Sequence, residues 1–266
     1  GFPYDRGYAA TLVSFLDYLS KEKQLLPIKN VLLASSNYEA GQAVDKAAVS
    51  RLEQAGYTVA GTVPLDQNAQ DLTSSVLRMK SMNPDAVIGL VTAKDGILLH
   101  RARFNTNWLD VPFVGGTSGY SDPVLWKELG ENVAPVALTR GMFGMTPYAD
   151  KVPLEPLQEL LADARASGTT VAIGQNYVHG AQAARMIQAI LEEAGSADRE
   201  AIFQAIPRVH IPAGSPHLYL PREGGLRFGE DRMLEDVTAL VIQWQADGSQ
   251  EVVYPPAFAT AEPRLD

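Results

Sequence analysis

Residues 29–41, KNVLLASSNYEAG, decide the fold. Val31, Leu32, Leu33 and Ala34 form an apolar run with no alternating polar face, as a strand buried on both sides of a parallel sheet requires. The chain then turns through Ser35, Ser36, Asn37 and Tyr38, and an amphipathic helix is expected from Glu39 to Gln54. Tyr38 thus stands at the carboxyl end of a strand. Open α/β sheets bind ligands at that edge, because rigid elements hold its loops and helix N-termini point at it.

Outward from this unit the pattern repeats. Residues 9–20 place Leu12, Phe15, Leu16 and Leu19 at helical spacing. Beyond the central helix, Gly56 is a C-terminal cap and Tyr57–Val63 alternates as a second strand. A helix over Asp71–Ser81 carries Leu72, Val76 and Met79 on one face, and Asn83-Pro84-Asp85 stops it. Ala86–Leu90 is a third buried strand, followed by a helix over Asp95–Asn105. Pro112–Val114 is a short strand running into GGTSG at 115–119; a helix over Asp122–Leu129 and a strand over Val133–Thr139 follow. Short links between alternating strands and helices specify a doubly wound parallel sheet, with right-handed crossovers placing helices on both faces.

Residues 1–140 therefore read as one lobe. Arg140–Val152, rich in Gly, Met and Pro, reads as a crossing out of the sheet. Residues 141–230 are expected to be mostly helical, with helices over Pro156–Ala166, Ile173–Ala194 and Asp198–Ile206. The long one places Tyr177, Ala181, Ala184, Ile187 and Leu191 along one apolar face. Pro207–Gly225, with four prolines and three glycines, reads as a loop. Strands are expected at Leu226–Phe228, Val237–Gln245 and Glu251–Tyr254, the last two antiparallel about Asp247-Gly248. Residues 231–266 thus hold crossing strands and an extended tail.

At 266 residues and 46% hydrophobic, the chain has apolar material for one large or two modest cores, and two is the better prior. A net charge of -9 does not supply the basic footprint that nucleic acid requires. No apolar run approaches the ~18 residues of a membrane span. No signal-peptide pattern opens the chain, and Gly1 is compatible with cleavage or truncation ahead of it. Without cysteine there is neither disulfide nor thiolate metal site.

Signatures of catalysis are scarce. The histidines at 100, 179, 210 and 217 have no paired spacing, so no metal site is expected. Ser118 in GGTSGYS lacks the second glycine of a nucleophile elbow, and no glycine-rich phosphate cradle follows a strand, so no nucleotide cofactor is expected. What converges is an edge: the loops Ser35–Tyr38, Val91–Lys94 and Gly116–Tyr120 follow three parallel strands. They offer hydroxyls, an amide, an aromatic ring and free N–H groups, which suits a small polar or anionic solute. The candidates are Ser36, Asn37, Tyr38, Val91, Thr92, Thr117, Ser118 and, on the long helix, Tyr177. Four of them have a structural alternative. Tyr38 can pack on its own loop, Thr92 and Thr117 can serve as N-caps, and Tyr177 can be core.

The segments 30–41, 84–104 (PDAVIGLVTAKDGILLHRARF), 111–118 (VPFVGGTS), 175–195 (QNYVHGAQAARMIQAILEEAG) and LRFGEDRML before VTALVIQWQADGS resemble, in order and spacing from Phe2 to Tyr254, type I periplasmic solute-binding proteins of ABC importers. The leucine/isoleucine/valine-binding group is the nearest. The resemblance implies two lobes joined by hinge crossings near 140–150 and 230–255, a ligand closed between them, a periplasmic or lipid-anchored location and an ABC permease as partner. It also implies about a hundred further residues ahead of the segment resembling Phe2–Leu19. The long helix would then lack its covering sheet here, unless a separate segment or a second copy of the chain supplies one. Tyr38 matches the family aromatic that covers the ligand, and Val91 or Thr92 falls where another aromatic is common. Thr117 falls where amino-acid binders place an acid against the ligand ammonium, so its hydroxyl leaves carboxylate or amide ligands open. A ligand-sensing ectodomain of the same fold and an α/β enzyme are the alternatives.

Overall fold

The structure, a computed structural model, describes residues 7–170, 173–235, 237 and 239–266. Phe2, where the resemblance starts, and Thr238, within the expected strand 237–245, lie outside them. In chain order the elements are α1 (Ala9–Asp17), continued as a π-helical turn over Tyr18–Glu22, β1 (Asn30–Leu33), α2 (Glu39–Gln54), β2 (Thr58–Thr62), α3 (Thr73–Ser81) and β3 (Ala86–Leu90). Then come α4 (Ala93–Asn105), β4 (Phe113–Gly116), α5 (Ser118–Ser121), α6 (Val124–Leu129), α7 (Ala134–Ala137) and β5 (Met142–Thr146). The remainder is α8 (Glu155–Ala166), α9 (Gln175–Ala194), α10 (Arg199–Ala205), β6 (His210–Ile211), β7 (Leu226–Arg227), β8 (Leu240–Trp244) and β9 (Gln250–Tyr254).

Among the described residues, seven strands form one sheet in the order β2-β1-β3-β4-β5-β8-β9. The run from β2 to β5 is parallel, and β8 and β9 are antiparallel. The fold is thus mixed α/β with a mostly parallel central sheet. Every residue of β3, β4, β5 and β8 is buried, which explains their unbroken apolar reading: no strand in the middle of a covered sheet has a face for water. Phe15 of α1 meets Phe143 of β5 edge-on at 5.0 Å, and Trp126 of α6 stacks on Trp244 of β8 at 5.8 Å.

By internal contacts the chain divides into two units, one ending its first stretch at Thr146 and resuming over Val241–Asp266, the other spanning Pro147–Leu240. The first contains the sheet. The second is built on α8, α9 and α10 with the β6–β7 pair, around a core of Ile211, Leu218 and Leu226. Buried Gln182 organises its loop: the side-chain oxygen accepts from the backbone N–H groups of Tyr219 (2.7 Å) and Leu220 (3.3 Å), and Nε2 donates to the carbonyl of His217 (3.1 Å).

Several expectations are corrected. Val133–Thr139 is not a strand: residues 134–137 form α7, and β5 comes later, at Met142–Thr146. Pro135 has no N–H to give a central strand but suits a first helical turn, and Ala134, Ala137 and Leu138 bury at helical spacing. Residues 142–146, expected in a crossing, therefore belong to the sheet; Gly144 is a close-approach position there, since a Cβ would lie 2.9 Å from the carbonyl oxygen of Tyr120. The helix expected over Asp122–Leu129 is the shorter α6, from Val124, and a further short helix, α5, forms at Ser118–Ser121, where the third loop was expected. Pro207–Gly225 is not all loop, since His210–Ile211 pairs with Leu226–Arg227. On α9 the side chains that bury are Val178 and Gln182, whereas Ile187 and Leu191 are 54% and 42% exposed.

Candidate functional site

At the carboxyl edge of the sheet, three loops interlock through side chains on short residues. After β1, the Ser35 hydroxyl donates to Oδ1 of Asp45 on α2 (2.6 Å) and accepts the backbone N–H of Leu90 at the end of β3 (2.8 Å). The neighbouring Ser36 hydroxyl donates to Oδ2 of Asp95 (2.5 Å) and accepts the N–H of Thr92 (3.1 Å). Two serines thus tie the first loop to the second. The second is tied to the third at the carbonyl of Val91, which accepts both the Thr117 hydroxyl (2.5 Å) and the N–H of Gly119 (2.8 Å). Gly96 and Gly119 allow α4 and α5 to touch, since a Cβ on Gly96 would stand 2.4 Å from the Gly119 carbonyl oxygen.

The glycines of β4 make the third loop possible. Gly89, Gly115 and Gly144 lie side by side across β3, β4 and β5. This bare row lets α5 fold back on the sheet with the Tyr120 ring laid against Gly115, and the indole N–H of Trp244 holds the Tyr120 carbonyl (2.9 Å). Thr117, the pivot of the fold-back, has φ 65° and ψ −169°, a region that only glycine enters readily. The strain, of order 1–3 kcal/mol, is offset in part by its bond to Val91. Thr117→Gly is accordingly expected to be more stable than Thr117→Ala by about 1 kcal/mol, the reverse of the usual order, because alanine keeps the strain and loses the bond. Urea denaturation of the two variants side by side checks this.

The candidate residues differ in what they present. Asn37 is exposed, with Oδ1 accepting from Gln42 (2.8 Å). Tyr38 is half-buried at the N-cap of α2 in extended backbone, its ring edge against Gly41. Thr92 is the N-cap of α4 and accepts from the N–H of Asp95 at a long 3.4 Å, whereas Thr117 caps nothing. Thr92, Thr117 and Ser118 are half-buried, Val91 is fully buried, and Ser36 is 1% exposed with its hydroxyl committed on both sides. The edge therefore brings together Asn37, Tyr38, Thr92, Thr117 and Ser118 as partly accessible side chains, over a brace that includes Ser36. Tyr177 stands on α9 in the other unit, half-buried.

Sequence reasoning did not single out the ionisable groups beneath this edge. Asp45, Asp95, His100, Arg103 and Tyr120 lie on the helices that pack there, and a lone acid or base on an amphipathic helix carries no signal of burial. Burial pushes the Asp45 carboxyl up to about 6 against the opposing bond from Ser35. His100 is fully buried, and burial, then the Arg103 charge, pushes it down to about 3. Its Nε2 lies 3.0 Å from the Gly119 carbonyl and its Nδ1 3.4 Å from Nη1 of Arg103, so the neutral ring carries its proton on Nε2 and accepts at Nδ1. Arg103 covers the Phe113 ring at 4.0 Å, and burial lowers its own guanidinium to about 10. Among the described residues no cluster of His, Asp or Glu has the arrangement to hold a metal ion.

A parallel sheet whose interlocked strand-end loops carry an aromatic ring, hydroxyls and an amide is a frame for holding a small solute. Comparison with known proteins agrees on the fold. Residues 1–248 match the family described as periplasmic binding protein. The chain belongs to that family. A Leu/Ile/Val-binding protein homolog from Brucella suis is 28% identical over 99% of this chain, and this chain spans 65% of that protein's length. Among solved structures, a leucine-binding protein from Thermotoga maritima superposes with a TM-score of 0.69 at 18% identity, covering 92% of this chain and 64% of that one. A solute-binding protein of an ABC transporter from R. palustris, in complex with benzoate, gives 0.70 at 15% identity, covering 97% and 65%. At such identities the structural likeness concerns the fold alone. No helix among the described residues is long and apolar enough to cross a membrane.

Proposed function

We propose that this periplasmic binding protein is the solute-binding component of an ABC importer. On this reading it holds a small amino acid or a related carboxylate or amide outside the cytoplasmic membrane and delivers it to a permease, with no covalent chemistry. The observation that carries the reading is the braced sheet edge. Ser35, Ser36, Thr117 and Gly119 fix three loops against one another and leave Asn37, Tyr38, Thr92, Thr117 and Ser118 partly open. Rigid placement of a few polar groups and one ring lowers the ordering cost of binding, which a transport protein needs and a mere packing surface does not. Family membership and relatives named for leucine, isoleucine and valine support the same reading.

Tyr38 is the residue to test. Its ring is an aromatic at the edge that is only half-buried, unlike those of Tyr8 and Tyr120, so truncation should spare the fold. Tyr38→Ala is expected to weaken solute binding about tenfold or more, measured by calorimetry over a panel of amino acids and of aliphatic and aromatic carboxylates, with the circular dichroism spectrum unchanged. Equal affinities in the two proteins would remove Tyr38 from the site. A panel without any binder, together with a native mass spectrum free of retained small molecules, would count against solute binding itself.

A further inference from the structure

Asp95, Arg103 and Tyr120 of the sheet unit each bury a side-chain polar atom without a hydrogen-bond partner, and Asp95 is the acid among them. It lies in the first turn of α4 at 1% exposure; Oδ2 takes the Ser36 hydroxyl at 2.5 Å, yet Oδ1 has no hydrogen-bond partner. A buried carboxylate oxygen without a donor is costly, and such an orphan calls for a group that arrives from elsewhere. The place matters as much as the missing donor. The same carboxylate, through Oδ2, closes the bond that links the loop carrying Tyr38 to the helix that Thr92 caps, at the edge read above as the solute site.

The electrostatics of that edge run against an anion. A helix N-terminus ordinarily attracts negative charge, but both longer helices that start here carry an acid in the first turn, Glu39 on α2 and Asp95 on α4. The nearby cation Lys94 is turned aside, its ammonium donating to the Gln67 carbonyl at 2.9 Å. We infer that Asp95 is a specificity-determining residue: its unpartnered oxygen takes a hydrogen bond from a protonated amine of the solute, directly or through one bridging water, so the edge receives the amine end of a solute and not its carboxylate. Asp95 would then supply from α4 the negative charge that Thr117 lacks. The inference rests on the solute-binding reading of the edge and names the chemistry that the site selects.

Two matched pairs test it on the full chain by calorimetry: L-leucine with 4-methylpentanoate, and L-phenylalanine with 3-phenylpropanoate, each acid lacking only the amine. The amine-bearing member of at least one pair is expected to bind about tenfold or more tightly than its partner. In Asp95→Asn that preference should shrink about fivefold or more, while the acid's own affinity holds or improves. Tighter or equal binding of the deaminated acids by the unaltered protein overturns the inference and needs no variant, so a poorly folding Asp95→Asn does not shield it. An unchanged preference in a folded Asp95→Asn overturns it too. Binding without discrimination, or no binding by any of the four probes, overturns the inference and leaves the solute-binding reading to the wider panel and the native mass spectrum.

Discussion

Gly115→Ala is expected to cost the sheet unit about 3 kcal/mol, the upper range for overpacking a filled core. The added Cβ would stand 2.1 Å from Cε2 and 2.3 Å from Cζ of Tyr120, and 2.6 Å from the carbonyl oxygen of Gly89 on the neighbouring strand. None of these can retreat. The Tyr120 ring is fully buried, packed edge-on to His100 at 5.4 Å, and its backbone is pinned by the Trp244 indole at 2.9 Å. Urea denaturation followed by tryptophan fluorescence reads the loss, since Trp126 and Trp244 stack within this unit. Combining Gly115→Ala with Tyr120→Leu should recover part of it, because the two changes meet at one contact and are not additive. A loss below about 0.5 kcal/mol in the single variant would mean that α5 does not lie on the glycine row.

The second large effect is one of pH. Asp45, raised to about 6 from 3.8, takes up its proton earlier in the folded chain than in the unfolded one. Its contribution to stability is therefore fully present below about 3.8 and is lost as pH rises through 6. His100, lowered to about 3 from 6.5, is the opposite: the unfolded chain takes up its proton first, so stability present above 6.5 is lost progressively as pH falls towards 3. Over the window between about 4 and 6 the two slopes have opposite sign and nearly equal size, so together they leave stability almost flat. Asp45→Asn, which keeps an acceptor for the Ser35 hydroxyl, removes one of them. The variant is expected to gain about 2 kcal/mol over the parent at pH 7.5, and then to lose about 3 kcal/mol between pH 7 and pH 4 as His100 acts alone. Denaturation at five or six pH values across that window measures both. A variant whose profile stays as flat as the parent's would show that Asp45 and His100 are not the opposed pair.

Much of the sheet was legible because its chemistry is local. Val31–Leu33 and Ala86–Leu90 are unbroken apolar runs too short for helices, bounded by turn residues, and a covered parallel strand has no other way to look. Glu39–Gln54 carries its buried positions Gly41, Val44, Ala48 and Leu52 at helical spacing. The misread segments failed for equally local reasons. MFGMT at 142–146 contains the glycine that punctuates loops, and VAPVALT at 133–139 contains β-branched residues that suggest a strand. In both, contacts with distant residues outweighed local preference: Gly144 gives room to Tyr120, and Ala134, Ala137 and Leu138 bury one helical side. The face of α9 was misjudged because the periodicity of Ala181, Ala184, Ile187 and Leu191 reports an apolar stripe, not what covers it.

The sequence alone therefore determined the class of the sheet, the position of its carboxyl edge and the identity of the loops that meet there, since strand burial, helix periodicity and turn chemistry are properties of neighbouring residues. Only the tertiary structure decided which side chains at that edge brace and which are presented. Ser36 and Asn37 read alike as polar loop residues; one is locked between Thr92 and Asp95, and the other is exposed. That division, the strained turn at Thr117 and the orphan oxygen of Asp95 arise from partners as many as 59 residues away, as between Ser36 and Asp95. No local pattern encodes them, because a hydrogen bond closed across a sheet depends on register and loop fold-back, which exist only once the strands have paired.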